Sequence, residues 1–232
     1  MRNHFSVPVF GYGLRARLCK LAAAAFLALA LPAAAEAPEV LAFGDSLTQG
    51  YGLMPGEGLV PQLQDWLAAQ GTAVQVVNAG VSGDTTAGGR ARIDWSLTPG
   101  IDAVIVELGG NDLLRGLPPA AARANLDAIL SAVTARGLPV LLVGLPAPGN
   151  YGPAYKAEFD AIWPELAAKY HALLLPDLLA PIAALPPEER AARGLMQGDN
   201  IHPSAAGVTL VVATLGPKVL ELLAKAQPKP AP

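Results

Sequence analysis

The chain holds one cysteine, Cys19, among 232 residues. A lone thiol makes no internal disulfide, no thiolate metal cage and no redox pair. Charge is sparse too: acidic and basic residues make up 15% of the chain, 16 basic against 19 acidic, for a net charge of -3. No basic block of the kind that tracks phosphates stands anywhere in the sequence, which argues against a nucleic-acid partner. Low charge beside 52% hydrophobic residues excludes intrinsic disorder, and the length fits one domain. Also missing are an internal repeat, a linker and the G-x-S-x-G elbow of alpha/beta-hydrolases. Gly50-Tyr51-Gly52 follows a predicted strand, but Pro55 stands where the third glycine of a dinucleotide-binding turn belongs.

Much of the apolar content lies at the start, where Arg2, Arg15, Arg17 and Lys20 precede an apolar run of 15 residues from Leu21 to Ala35. That run is shorter than the roughly 20 residues a helix needs to cross a bilayer. It ends in three alanines suited to a signal peptidase. The layout predicts a signal peptide over residues 1–35, cleaved after Ala35, and export to the periplasm or beyond. Cys19 precedes the apolar run, where a lipoprotein cysteine would follow it, so the mature chain has no cysteine and no stable membrane span. Removing four basic and no acidic residues takes the charge from -3 to -7. The domain then covers residues 36–226, and the Pro-rich residues 227–232 read as a disordered tail.

After Glu39, short apolar runs alternate with longer segments of helical period. Val40 to Phe43, Val74 to Val77, Ala103 to Glu107 and Val140 to Gly144 read as strands, with a weaker fifth at Ala172 to Leu175. Their nearly continuous hydrophobicity is that of strands covered on both faces. Helices are expected at Leu59 to Ala69, Ala120 to Ala135, Phe159 to Tyr170 and about Pro203 to Ala224. The alternation predicts an α/β fold, a three-layer α/β/α sandwich around a mostly five-stranded parallel sheet. Sites in such open sheets form at the carboxyl ends of strands, which directs attention to the loops after Phe43, Val77 and Glu107.

The first loop reads Gly44-Asp45-Ser46-Leu47. A serine at the start of a helix has an exposed hydroxyl and an unpaired N–H beside it, although Ser is also a leading cap residue. A serine nucleophile needs a base, usually histidine. His4 lies in the signal segment, and His171 sits at a helix-to-strand junction with the setting of a structural or surface residue. His202 lies in Asp199-Asn200-Ile201-His202-Pro203, where Asp199 at three residues' distance can accept the Nδ1 proton and leave Nε2 free for the serine. Pro203 is expected at the first helical position after it. In the third loop, Gly109-Gly110-Asn111-Asp112, the Asn111 amide suits a developing oxyanion but also suits an Asx turn. The second loop, Asn78 to Asp84, offers the Gly83 N–H as a further donor and Ser82 as a rival nucleophile.

In this order the four blocks resemble the GDSL, or SGNH, hydrolases: Phe43-Gly44-Asp45-Ser46-Leu47, the Gly83 loop, Gly109-x-Asn111-Asp112 and Asp199-x-x-His202-Pro203. By average residue frequencies the three main patterns co-occur by chance in roughly one chain per thousand of this length. Val104 to Gly116, Asn150-Tyr151-Gly152 and Leu174-Leu175-Pro176 further resemble the exported branch of multifunctional acyl-CoA thioesterases, lysophospholipases and arylesterases. The resemblance spans about residues 39–224 and implies the flavodoxin-like SGNH hydrolase fold. It implies Ser46 as nucleophile, Asp199 and His202 completing the triad, and the Ser46 N–H, Gly83 N–H and Asn111 side chain as oxyanion donors. It also implies no metal or cofactor, and a small-molecule acyl ester or thioester as substrate. Asn200 departs from this branch, which often has Gly there, and Pro146-Ala147-Pro148, before Asn150, resembles the mobile loop that covers the acyl site.

Two other readings compete. A metal-dependent phosphoesterase would gather Asp45, Asp84, Asp112 and Asp199 around a hard cation, though no histidine accompanies the early acidic loops. A non-catalytic ligand-binding module on the same fold would share the motifs and lack turnover.

Overall fold

The computed structural model describes Met1 and residues 37–226; the expected signal peptide and Pro-rich tail lie outside the described residues. Five parallel strands form one sheet: β1 (Glu39–Gly44), β2 (Gln75–Gly80), β3 (Ile101–Glu107), β4 (Val140–Val143) and β5 (Leu173–Leu175). Their order is β2-β1-β3-β4-β5, with Phe43 opposite Ala79 on one side and Val106 on the other. In this flavodoxin-like order the chain reverses its direction of winding between β1 and β3, and the crevice beyond their carboxyl ends is where such folds hold ligands. Val40, Phe43, Val104, Val106, Leu141 and Leu142 are fully buried, as expected of a sheet with both faces covered.

The helices, in chain order, are α1 (Ser46–Gln49), α2 (Leu59–Ala69), α3 (Thr86–Ser96), α4 (Gly110–Leu114), α5 (Pro119–Thr134), α6 (Pro153–Asp160), α7 (Ile162–Tyr170) and α8 (Ala205–Leu223), with short helical turns at Ala180–Ala183 and Pro187–Ala192. Helices α2 and α8 pack together on one side of the sheet, while α5 packs with α3, α6 and α7 on the other. Helix α8 is long and apolar enough to cross a membrane, yet it buries Val208, Val211, Val212, Leu215, Val219 and Leu222 in the core.

The structure corrects the expected elements in several places, and α4 makes helix of the stretch from Gly110 that reads as a loop. Strand β2 runs on to Gly80, so Asn78 and Ala79 belong to the sheet and not to a loop. Helix α3 had no counterpart among the expected helices. Gly88 and Gly89 dilute its apolar pattern and Arg92 stands on its buried side, while Thr85 caps it by accepting from the Gly88 N–H at 3.3 Å. The helix expected over Phe159 to Tyr170 is two helices, α6 beginning earlier and meeting α7 at Ala161. Pro164 has no N–H to bond the Asp160 carbonyl, which removes the hydrogen bond that would join them. Finally, Pro203 precedes α8 and does not open it. Ser204 is the cap, accepting from Gly207 N–H, and Pro203 bridges to Met196.

Candidate active site

Asp45 caps α1, its carboxyl accepting from the Leu47 N–H at 3.0 Å, so Ser46 is the first residue of that helix. Helix α1 lies hard against the ends of three strands. A Cβ on Gly44 would overlap the Thr48 hydroxyl, and one on Gly80 would overlap the Gln49 nitrogen, while the Thr48 hydroxyl donates to Glu107 at the end of β3. Only glycine allows this approach.

His202 reaches Ser46 from the loop before α8. Its Nε2 is 2.9 Å from Ser46 Oγ, and its Nδ1 is 2.7 Å from Asp199 Oδ2. The other Asp199 oxygen accepts from the N–H groups of Ile201 and His202, at 2.9 and 3.0 Å. These backbone donors, together with the imidazole, pull the Asp199 carboxyl down to about 2. An ionised Asp199 fixes the proton on Nδ1, which leaves the Nε2 lone pair facing the Ser46 hydroxyl. The loop is cinched from beneath: the Gln197 amide donates to the carbonyls of Tyr51 and Pro203, and the Gln197 N–H donates to the His202 carbonyl. Tyr51 lies over the imidazole with ring centroids 4.8 Å apart. Asn200 is left-handed at φ 56, a conformation that Gly and Asn adopt most readily, so Asn in place of Gly suits this loop. His171 lies far along the chain fold, as the exposed left-handed cap of α7. Ser82 has no imidazole partner among the described residues; its hydroxyl donates to the Gln49 side chain at 2.7 Å.

Three candidate donors stand on the segments that follow the strand ends. Among the described residues, neither the Ser46 N–H nor the Gly83 N–H has an acceptor within the chain. Asn111, at the start of α4, donates one amide hydrogen to Asp45 Oδ2 at 3.2 Å, which leaves the other free. Gly83 is at φ 83 and its carbonyl accepts from Arg115 Nη2 at 2.8 Å.

The aspartates that a metal reading would use are engaged separately. Asp84 pairs with Arg92 Nε at 2.6 Å, Asp112 holds Thr86, Asp45 holds Asn111 and Leu47, and Asp199 holds His202. No group of three or more His, Cys, Asp or Glu suited to a metal ion occurs among the described residues.

Arg92 and Thr86 are site residues that sequence reasoning missed. The Arg92 guanidinium lies 3.9 Å over the Phe43 ring and donates to the Ala79 and Gly44 carbonyls at 2.8 Å each. It thus ties the ends of β1 and β2 to Asp84, the neighbour of Gly83. Beneath them, Glu107 is fully buried and receives the Thr48 hydroxyl at 2.8 Å. Burial, reinforced by the neighbouring Asp45 carboxyl, pushes its carboxyl well up, and burial likewise lifts Asp45 to about 6.

With a serine, an imidazole and a carboxylate in hydrogen-bonded sequence at this switch point, comparison with known proteins is decisive. Residues 42–210 match the GDSL-like lipase/acylhydrolase family. The chain belongs to that family. Membership makes it a carboxylic ester hydrolase with the SGNH fold. It is 38% identical over 190 residues to Esterase TesA of Pseudomonas aeruginosa, covering 82% of this chain and 91% of the relative. It is 37% identical over 180 residues to Thioesterase 1/protease 1/lysophospholipase L1 of Escherichia coli K12, covering 77% and 82%. Among solved structures, AlinE4, an SGNH-hydrolase family esterase, superposes with a TM-score of 0.64 at 46% identity, covering 81% of this chain and 97% of that one.

Proposed function

We propose that this hydrolase cleaves oxygen esters and thioesters of apolar acyl or aryl groups through a Ser46-His202-Asp199 triad and an acyl-enzyme. The observation that carries the reading is the relay of 2.7 and 2.9 Å from Asp199 through His202 to Ser46. His202 Nε2 takes the Ser46 proton as Oγ bonds to the substrate carbonyl carbon. The carbonyl oxygen gains the negative charge and meets the Ser46 N–H, the Gly83 N–H and the Asn111 amide. As the intermediate collapses, the imidazolium gives its proton to the leaving alcohol or thiol. Water then attacks the acyl-enzyme, with His202 again taking the proton, and the acid is released.

The surroundings support an apolar acyl group. Tyr51, Met54, Val81, Leu114, Tyr151 and Ile201 are large apolar side chains left exposed on segments that follow strand ends or adjoin His202. Ser46 and His202 also line an apolar recess with Leu47, Leu53, Leu179 and Val208.

Purified protein tested on p-nitrophenyl esters, acyl-coenzyme A and lysophospholipids, beside the Ser46→Ala variant, tests the reading. Turnover that Ser46→Ala abolishes and EDTA leaves intact is expected. A serine-directed phosphonate should add once, at Ser46. Loss of activity on chelation would restore the phosphoesterase reading, and no turnover on any ester would leave a binding module. Export is part of the same proposal: intact-mass analysis of the exported product should give a chain beginning at Glu36.

A further inference from the structure

At the strand ends Arg92 pairs with Asp84, and Asp199 is hydrogen-bonded to His202. Of the more remote arginines, Arg123 pairs with Glu165 and Arg193 with Glu189, while Arg90, Arg136 and Arg190 make no ion pair among the described residues. Arg115 also makes none, and it differs from those three in standing beside the proposed oxyanion site. It follows α4, is exposed, and among the described residues makes one side-chain hydrogen bond, from Nη2 to the Gly83 carbonyl at 2.8 Å, and no ion pair. A guanidinium carries five N–H donors, so most of them remain for a ligand. Its place is set by the proposed oxyanion site, because a Cβ on Gly83 would lie 3.9 Å from Nη2. The cation therefore sits within a side chain's width of the residue whose N–H would face the reacting carbonyl.

Charge gives that placement a consequence. The chain as a whole is acidic, at -3, and repels an anionic substrate at long range. An unmatched guanidinium beside the reacting carbonyl offsets this locally, and its planar fork binds two oxygens of one phosphate. We infer that Arg115 recognises a phosphate group on the substrate and so determines preference for phosphate-bearing esters or thioesters over neutral ones. The inference rests on the ester-hydrolase reading for its substrate, but binding tests it without turnover.

The Ser46→Ala protein is titrated by calorimetry with butyryl-coenzyme A and with butyryl-N-acetylcysteamine, the same thioester without phosphate. A lysophosphatidate and the monoacylglycerol of equal chain length form a second pair, which separates a nucleotide-type from a lipid-type source of the phosphate. The phosphate-bearing member of at least one pair should bind more tightly. Adding Arg115→Gln should remove about three- to fivefold of that affinity, the scale of an exposed ion pair, while Arg115→Lys keeps most of it and salt erodes it. The neutral member should be unaffected. Equal loss for charged and neutral ligands would mean that Arg115 only pins the Gly83 loop, and would overturn the inference. So would phosphate-bearing ligands that bind no better than their neutral counterparts. Arg115-dependent binding with no turnover by the Ser46 protein would uphold the anion site and sink the hydrolytic reading alone.

Discussion

Asp112 grips Thr86 twice: one carboxylate oxygen accepts the Thr86 N–H at 2.8 Å and the other its hydroxyl at 2.7 Å, all buried. Thr86 begins α3 just after the Gly83 loop, and Asp112 follows Asn111. The two side chains therefore fix the spacing between two proposed oxyanion donors carried by different loops. Asp112→Asn leaves one oxygen for the Thr86 N–H and turns the other into a donor, so the Thr86 hydroxyl must reverse to accept and the charge-assisted bonds are lost, at a cost of about 1–3 kcal/mol in stability. If the pair sets donor spacing, kcat should fall while KM changes little, because the misplaced bonds matter most in the transition state. Thermal melts with steady-state kinetics check both, and a destabilised variant with unchanged kcat would show that the loops hold their spacing without this pair.

Asp45 gives a pH signature. Burial raises its carboxyl from 3.8 to about 6, so between those values the folded chain holds a proton that the unfolded chain has released. The stability this provides is present below about pH 4 and is lost as pH rises through 6. A shift of this size corresponds to about 3 kcal/mol. Asp45→Asn cannot titrate, so the stability gap between variant and parent should move in the variant's favour by about that amount from pH 4 to pH 7. Asp199, held down to about 2, acts in the opposite sense and only below pH 4, which separates the two in urea melts across pH. The same variant should lose activity, since its amide would face the Asn111 amide across the present hydrogen bond of 3.2 Å.

The strands could be read from the sequence because continuous Val, Ile and Leu runs have few other uses, and all five are present within a few residues of their expected limits. Ser46, His202 and Asp199 could be found because the relay needs only local geometry: one residue at a strand end, and an Asp and a His three apart in one loop. What could not be read was the support between loops. Arg92 belongs to a helix whose glycines hide its period, and its partners, Gly44, Ala79 and Asp84, lie on three other segments. The pairing of Thr86 with Asp112 spans 26 residues and leaves no local pattern. Pro203 misled because its ring suits a helix start, whereas the lack of an N–H equally suits a bridge position beside Met196.

Arg92 should be intolerant of lysine. One guanidinium serves Asp84, Ala79 and Gly44 with three differently directed nitrogens, and an ammonium cannot span them. Arg92→Met removes the cation and leaves Asp84 and two carbonyls short of a donor, so a loss of about 3–5 kcal/mol is expected. Arg92→Lys should fall between the two. In the lysine variant, affinity for a phosphonate transition-state analogue should drop in step with kcat/KM if the guanidinium positions the Gly83 loop. A stability loss with analogue affinity intact would confine Arg92 to the core.

Asn111→Asp is the sharpest test of the proposed oxyanion site. The substitution keeps shape, yet it brings a second carboxyl to the place now 3.2 Å from Asp45 Oδ2. Two carboxylates that close cannot both be ionised, so one proton is shared and the pair titrates upward. That proton lies between the two acids, and no donor remains for the substrate oxygen. Loss of one oxyanion donor costs about 10² to 10³ in kcat, and Asn111→Asp should lose at least as much as Asn111→Ala, because its charge also repels the oxyanion. The two variants should differ in pH response. The alanine variant should follow the parent profile at a lower level, while the aspartate variant should lose still more relative to the parent as pH rises and its added carboxyl ionises. Should Asn111 serve only as a turn residue, Asp would replace it well, and the aspartate variant would keep near-parental kcat at every pH with its melting temperature unchanged.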